Sequence, residues 1–195
     1  MDLRKFAATK ITGPLIPLLS KTGLTPDILT WIGLFINIIA AAVIALNHLL
    51  VGGILVLFSG LFDLLDGALA RYNNKTTRFG ALLDSTFDRL SEALVLIGIL
   101  ILYLNGEHTL EILLIFGVLV ASFLISYIRA RAESLGIECK TGLFTRAERV
   151  IILALGLMID QVLITLIVLA VFTIVTVIQR LVHVWRQTKK QVNDN

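Results

Sequence analysis

The sequence is short of charge and of cysteine. Only 16% of its 195 residues are Asp, Glu, Lys or Arg, whereas 57% are hydrophobic and the mean hydropathy is +0.91. This balance excludes an ordinary soluble domain. The single Cys139 excludes an internal disulfide, and we expect a free thiol without a chemical role. No repeat, low-complexity tract or soluble domain boundary is visible, so we expect one membrane domain over residues 1–195.

Six uncharged, mainly apolar runs account for the high hydropathy, and a membrane-crossing helix needs about 20 such residues. The runs cover Ile28–Leu46, Leu49–Phe62, Ala93–Leu104, Ile112–Ile128, Val150–Ile159 and Val162–Ile178. The fifth run is short, so we expect its helix to extend over Leu143–Asp160. The sequence therefore predicts an all-α integral membrane protein with six transmembrane helices.

Lysine and arginine are missing from every second connection between these runs. The connections at Asn47–His48, Asn105–Glu111 and Asp160–Gln161 contain neither residue. All 17 lie in the N-terminal segment and in Arg71–Arg89, Arg129–Arg149 and Arg180–Lys190. The positive-inside rule then predicts that both termini and the basic segments face the cytoplasm of a cell membrane. Residues 1–20 show apolar and basic residues at helical spacing, which predicts an interfacial amphipathic helix. Residues 187–195 are expected to form a solvated cytoplasmic tail.

Four aspartates interrupt the apolar background in two neighbouring helices. Asp63 and Asp66 are three residues apart, and Asp84 and Asp88 are four apart, so each pair shares one helix face. Two helices joined by a polar linker can bring these faces together, but four carboxylates in one site cannot all ionise without cations. Oxygen ligands with no His or Cys nearby in sequence favour Mg²⁺ or Mn²⁺ over zinc. Because charge at membrane depth is costly, we interpret the cluster as functional.

Small residues and an arginine lie among the aspartates. Gly67, Ala70 and Gly80 leave room for the approach of a nucleotide or pyrophosphate. Arg71 adds a planar fork suited to a phosphate or to the acids themselves. Paired metals in such a site would clamp the attacking and leaving oxygens of a phosphoryl displacement. The alternative is that the aspartates form structural ion pairs with nearby arginines such as Arg71 and Arg89.

The pattern Asp-x2-Asp-Gly-x2-Ala-Arg-x8-Gly-x3-Asp-x3-Asp, from Asp63 to Asp88, resembles the motif of the CDP-alcohol phosphotransferase family at every fixed position. The resemblance covers nearly the whole chain. It implies six membrane helices, a site on the cytoplasmic side and a homodimer. It also implies displacement of CMP from a CDP-linked lipid by an alcohol.

The same resemblance implies roles for individual residues. Two Mg²⁺ or Mn²⁺ ions would be bound by Asp63, Asp66 and Asp84, and Asp88 would complete the second metal site. Asp88 would also be the catalytic base on the acceptor hydroxyl. The residues implied in CDP-lipid binding belong to the motif and to the start of the first span: Asp27, Ile28, Leu29, Thr30, Gly67, Ala70, Arg71, Thr77 and Gly80.

Arginines near the cytoplasmic ends of three later helices are the candidates for binding the acceptor alcohol. The segments around Arg129, Arg146, Arg149 and Arg180 resemble phosphatidylinositol-phosphate synthases and their archaeal counterparts that use archaeol. This resemblance implies CDP-diacylglycerol or CDP-archaeol as donor, with these arginines holding the phosphate of inositol 1-phosphate. An arginine cluster also suits a dianionic phosphomonoester on physical grounds. Two departures leave the acceptor open, since Arg129 stands where Lys is more common and Ala147 replaces a Pro.

Three alternatives remain from the sequence. Glycerol 3-phosphate is also a phosphomonoester and is the second acceptor. A membrane prenyltransferase also binds a pyrophosphate with Mg²⁺, but it does not explain the Gly67–Arg71 run. An ion or proton pathway would scatter polar groups across the membrane, whereas the far halves of these spans carry almost none.

Residues outside the cluster are expected to have structural roles. Asn37, within the first span, should hydrogen-bond a neighbouring helix. Arg131 and Glu133 should form ion pairs within or between helices. We expect the lipid bilayer, the small-molecule substrates and a second copy of the chain as partners, and no nucleic acid.

Overall fold

The computed structural model describes residues 15–21, 23–73 and 77–193, with side chains for residues 16–21, 23–73 and 77–189. The regular structure of these residues is helical, which confirms the predicted all-α class. The helices are α1 Leu15–Lys21, α2 Pro26–Ala45, α3 Leu49–Tyr72, α4 Arg78–Tyr103, α5 Thr109–Ser134, α6 Arg146–Met158 and α7 Val162–Asn193. The interfacial helix predicted over residues 1–20 lies largely outside the described residues, and its last part falls in α1.

Four of the described helices, α2, α3, α5 and α7, are long and apolar enough to cross a membrane. The chain is therefore a membrane protein. Helix α4 has 26 residues, but its part up to Glu92 carries Arg78, Asp84, Asp88, Arg89 and Glu92, and these charges lower its apolar character. Helix α6 has 13 residues, which cover only about 20 Å at ~1.5 Å per residue.

Helix α6 is shorter than the sequence predicts. The helix expected over Leu143–Asp160 begins at Arg146 and ends at Met158, so the prediction is wrong at both ends. At the first end, the N–H of Leu143 donates to the Gln179 side chain at 3.1 Å, which ties the chain to α7. At the other end, Asp160 has a φ of 56°, and this left-handed conformation terminates a helix.

The chain packs as two units, the first ending at Gly98 and the second beginning at Ile99. In the first unit, one apolar cluster contains Ile16 from α1, Leu29 from α2, and Leu65, Ala68 and Leu69 from α3. An edge-on contact between the Trp31 and Phe87 rings, 4.7 Å apart, joins α2 to α4. These apolar contacts set the positions of α2, α3 and α4 around the aspartates.

Two further contacts bring the helices of the first unit close together. The Asn37 amide donates to the Ser59 hydroxyl at 2.5 Å, and Ser59 donates to the Gly33 carbonyl at 2.9 Å. The predicted role of Asn37 between helices is thus confirmed. A Cβ added to Gly98 would lie 2.5 Å from the Ala41 carbonyl oxygen, so α4 approaches α2 as closely as a glycine allows.

In the second unit, α5 and α6 both pack against α7, and residues 135–145 form the connection from α5 to α6. Cys139 of this connection is fully buried, in a cluster with Ile137 of the connection and Ala132 of α5. Helix α7 contains no Gly or Pro and continues to Asn193. Most of the tail predicted over residues 187–195 is therefore helical.

Candidate active site

Asp66 is the most deeply buried of the four predicted site aspartates, with 3% of its surface exposed. The hydroxyl of Thr30, on α2, donates to its Oδ2 at 2.7 Å. The two residues meet because Leu29, beside Thr30, packs into the same core as Leu65, beside Asp66. A hydrogen bond to a charged group in such a place is stronger than one between neutral groups. Asp66 is therefore held in one orientation.

Two further acids lie close to Asp66. Asp63 and Asp84 both interact with it electrostatically. Asp63 also faces α2, since its Oδ1 lies 3.4 Å from the position that a Cβ on Gly33 would take. The two helices thus bring acids of both predicted stripes together, as the spacing indicates.

The donor set fits a hard divalent cation, because it offers carboxylate oxygens on both helices. Among the described residues, no three or more His, Cys, Asp or Glu side chains are arranged as a ready metal site. Like-charged carboxylates repel one another, and a cation between them is what favours their close approach. The residues therefore suit a metal by their chemistry, and Asp63 and Asp84 are near enough to Asp66 to interact with it.

Asp88 lies one turn beyond Asp84 on α4. Its Oδ2 is 3.5 Å from Nη1 of Arg89, and its side chain is 18% exposed. The same Nη1 donates to the Ser85 carbonyl at 2.5 Å. Asp88 thus partly fits the alternative in which the aspartates form structural ion pairs with arginines. Its partial exposure leaves the carboxylate within reach of a small molecule.

Several residues predicted in CDP-lipid binding meet where α2 and α4 begin. The N–H of Gly80 donates to the Thr77 hydroxyl at 2.9 Å, so Thr77 caps α4. A Cβ on Gly80 would lie 2.9 Å from Thr77 Oγ1 and 3.7 Å from Asp27 Oδ1. Farther along α3, Arg71 folds back over Gly67, with Nη1 3.4 Å from the position of a Cβ there.

Leu29 lies in the apolar core. Its side chain is 2% exposed, and it supports its neighbours. Ile28 is 45% exposed, and Ala70 is half-buried. Thr30 has a role that the sequence did not indicate, because no local pattern pairs it with Asp66.

Three predicted arginines converge in the second unit. Arg180 of α7 interacts electrostatically with Arg129 of α5 and Arg149 of α6. Arg149 and Arg180 are 3% and 6% exposed. Arg180 is also bonded to the backbone, since its Nη1 donates to the Ile125 carbonyl at 2.5 Å and its Nε to the Thr141 carbonyl at 3.0 Å. The clustering predicted for these residues is therefore present, and Arg180 additionally holds the connection before α6.

The remaining charged residues of this region lie around the cluster. Arg146 is the first residue of α6, one turn before Arg149. The Arg129 Nε donates to Glu133 Oε1 at 2.8 Å. Glu133 thus forms the predicted ion pair within its own helix, and it does so with Arg129 because residues four apart share a helix face.

The chain matches the CDP-alcohol phosphatidyltransferase family over residues 23–186. It belongs to that family. Among relatives, this CDP-alcohol phosphatidyltransferase is 40% identical over 179 residues to archaetidylinositol phosphate synthase from Methanothermobacter thermautotrophicus, a match that covers 89% of each chain. It is 37% identical over 195 residues to phosphatidylinositol phosphate synthase from Mycobacterium tuberculosis, covering 94% of this chain and 89% of the relative.

Solved structures agree with the sequence comparison. The crystal structure of Mycobacterium tuberculosis phosphatidylinositol phosphate synthase with CDP-DAG bound gives a TM-score of 0.83 at 36% identity, covering 90% of this chain and 94% of that one. The structure of that enzyme in complex with manganese and citrate also gives 0.83, covering 89% and 88%. The helical arrangement of this family member is therefore that of an enzyme solved with a CDP-lipid.

Proposed function

We propose that this chain transfers a phosphatidyl or archaetidyl group from a CDP-lipid to inositol 1-phosphate and releases CMP, as a step of phospholipid biosynthesis. The observation that carries the proposal is Asp66, buried at 3% exposure at the polar end of an apolar helix, held by Thr30 and joined by Asp63 and Asp84. A carboxylate group of this kind at membrane depth has a function by default. Family membership supplies the reaction class.

Asp63, Asp66, Asp84 and Asp88 are proposed to hold two Mg²⁺ or Mn²⁺ ions. Their oxygens are the ligands that these ions prefer, and a relative has been solved with manganese. Bound there, divalent cations would neutralise the diphosphate and stabilise the negative charge that develops on CMP. The bond between Thr30 and Asp66 would preserve the orientation of one ligand, as outer partners of metal ligands do.

Asp88 is proposed as the general base. Its carboxylate accepts the proton of the acceptor hydroxyl, whose oxygen forms a bond to the lipid-side phosphorus while the bond from that phosphorus to CMP breaks. The 18% exposure of its side chain is compatible with an approaching hydroxyl. A base in this position explains why a second acid follows Asp84 on the same face of α4.

The CDP moiety is proposed to lie against the starts of α2 and α4. Asp27, Thr77 and Gly80 meet there, and the absence of a side chain on Gly80 lets a phosphate or ribose approach the backbone. Gly67 and Arg71 on α3 complete this surface, with Arg71 supplying donors to a phosphate. The exposed Ile28 and the half-buried Ala70 extend it, and Leu29 supports it from the core.

The arginine cluster is proposed to bind the acceptor phosphate through Arg129, Arg149 and Arg180, with Arg146 one turn away on α6. The buried guanidinium groups of Arg149 and Arg180 repel each other, and a dianionic phosphate relieves that repulsion. The names of the relatives favour inositol 1-phosphate. Glycerol 3-phosphate carries the same phosphate and is the second candidate acceptor.

We further propose six membrane crossings, with α4 and α6 completing the four long apolar helices. The one-sided distribution of Lys and Arg supports a cytoplasmic site and cytoplasmic termini. Resemblance to the family supports a single domain over the whole chain and a homodimer. Accessibility labelling of single cysteines introduced at either end of α4 in intact cells tests the orientation.

The function is tested by CMP release from purified full-length protein, given CDP-diacylglycerol or CDP-archaeol, Mg²⁺ and one acceptor at a time. We expect release with inositol 1-phosphate, abolition by a chelator and restoration by Mg²⁺ or Mn²⁺. In a competition, inositol 1-phosphate should be consumed in preference to glycerol 3-phosphate, and the reverse preference would reassign the acceptor. Absence of CMP release with every acceptor would contradict the proposal and would favour a prenyltransferase or a transport protein.

A further inference from the structure

The connection between α5 and α6 lies against α7 through a series of specific contacts. Arg180 Nε donates to the Thr141 carbonyl at 3.0 Å, and the Gln179 side-chain oxygen accepts from the Leu143 N–H at 3.1 Å. The Phe144 and Phe172 rings stack 5.1 Å apart. The connection is thus held by α7 as far as Phe144, two residues before α6 begins.

The hydrogen bond between Gln179 and Leu143 fixes the position of a residue that apolar burial does not hold. The Leu143 side chain is 68% exposed, so apolar packing does not fix the position of this residue. Just before it, Gly142 has a φ of 142°, and a Cβ there would lie 3.0 Å from Thr176 Cγ2 and 3.3 Å from Arg180 Nε. Between the Arg180 bond to Thr141 and the packed Phe144 ring, the path of the chain therefore depends on a residue without a side chain and on one amide acceptor.

The position of this connection bears directly on Arg149. Helix α6 starts three residues after Leu143, and the Arg149 N–H donates to the Thr145 carbonyl at 3.2 Å. Arg149 thus lies one turn inside a helix whose start is tied to α7. Arg149 and Arg180 repel each other, and the fixed connection opposes that repulsion.

We propose that Gln179 is a positioning residue for the acceptor site, and that Gly142 allows the approach on which its contact depends. By holding Leu143, Gln179 keeps the start of α6, and with it Arg149, beside Arg180. The inference rests on the proposed function, because it takes the arginine cluster as the site of the acceptor phosphate. Gln179 itself would not touch the reacting groups.

The test compares Gln179→Met with the wild type, both as purified full-length protein with Mg²⁺, CDP-diacylglycerol and inositol 1-phosphate. Methionine keeps the length of the side chain and removes the acceptor of the Leu143 N–H. We expect the KM for inositol 1-phosphate to rise about fivefold, the factor that corresponds to one net hydrogen bond, with KM for the CDP-lipid and kcat unchanged. The matched control is Gln187→Met, two turns farther along α7, which should leave all three constants at wild-type values.

A general loss of structure would lower kcat and change both KM values together, so the separate rise of one KM distinguishes positioning from destabilisation. Gly142→Ala provides a second variant with the same expected signature, in case Gln179→Met does not fold. An unchanged KM for inositol 1-phosphate in either folded variant would overturn the inference. If the wild-type protein released no CMP with any phosphate-bearing acceptor, that result would instead overturn the proposed function.

Discussion

Replacing Thr30 by Val removes the hydroxyl that donates to Asp66 Oδ2 at 2.7 Å and keeps the volume of the side chain. Both residues are buried, at 7% and 3% exposure, so water does not replace the lost donor. A hydrogen bond to a charged group contributes about 1.5–3 kcal/mol. About 1.4 kcal/mol corresponds to a factor of ten. We therefore expect the Mg²⁺ concentration for half-maximal activity to rise about tenfold to a hundredfold. Loss of a residue that hydrogen-bonds a metal ligand has effects in the same range.

The assay is a Mg²⁺ titration of CMP release at saturating substrates. Thr30→Ser is the matched control, because it retains the hydroxyl and should shift the titration much less than Thr30→Val. A thermal unfolding curve of each variant in the same detergent shows whether the fold is preserved. If folded Thr30→Val required no more Mg²⁺ than the wild type, the reasoning that this bond orients a metal ligand would be refuted.

Three further predictions concern the base and the packing of the first unit. Asp88→Asn should lower kcat by about 10²–10⁴ with little change in CDP-lipid binding, as loss of a general base does; a wild-type rate would exclude that role. Gly98→Ala should lower the free energy of unfolding by about 1–3 kcal/mol through overpacking against α2. The control Gly117→Ala, whose Cβ would meet nothing within 4 Å, should not destabilise the protein. Equal thermal midpoints for the two variants would contradict this prediction. Ser59→Ala removes a partner of Asn37 and should cost about 1 kcal/mol without altering KM, and a changed KM would place the pair in the substrate site instead.

Features that depend on local periodicity were predictable from the sequence. The spacing of Asp63 and Asp66, and of Asp84 and Asp88, indicates which residues share a helix face, and the structure groups acids of both faces. Apolar runs likewise predicted the helices, because a continuous apolar segment needs helical hydrogen bonding in a membrane. The first and last residues of a helix were predicted less well where a contact outside the helix decides them, as at the start of α6.

Contacts between distant residues were not predictable. Thr30 and Asp66 are 36 residues apart in sequence, and Arg180 and Ile125 are 55 apart. Whether two such groups meet depends on how each helix is rotated about its axis and how closely it approaches its neighbour. Apolar packing decides both, and it also directs the Leu29 side chain into the core.

The amino-acid sequence by itself therefore determined the class of fold, the family and the acids of the candidate site, since each of these follows from residue type and spacing along the helices. Only the tertiary structure decided that a threonine holds Asp66 and that Gln179 secures the connection before α6. The physical reason is that a hydrogen bond forms only within about 3 Å. Small rotations of packed helices, which no local pattern encodes, make or remove such a contact.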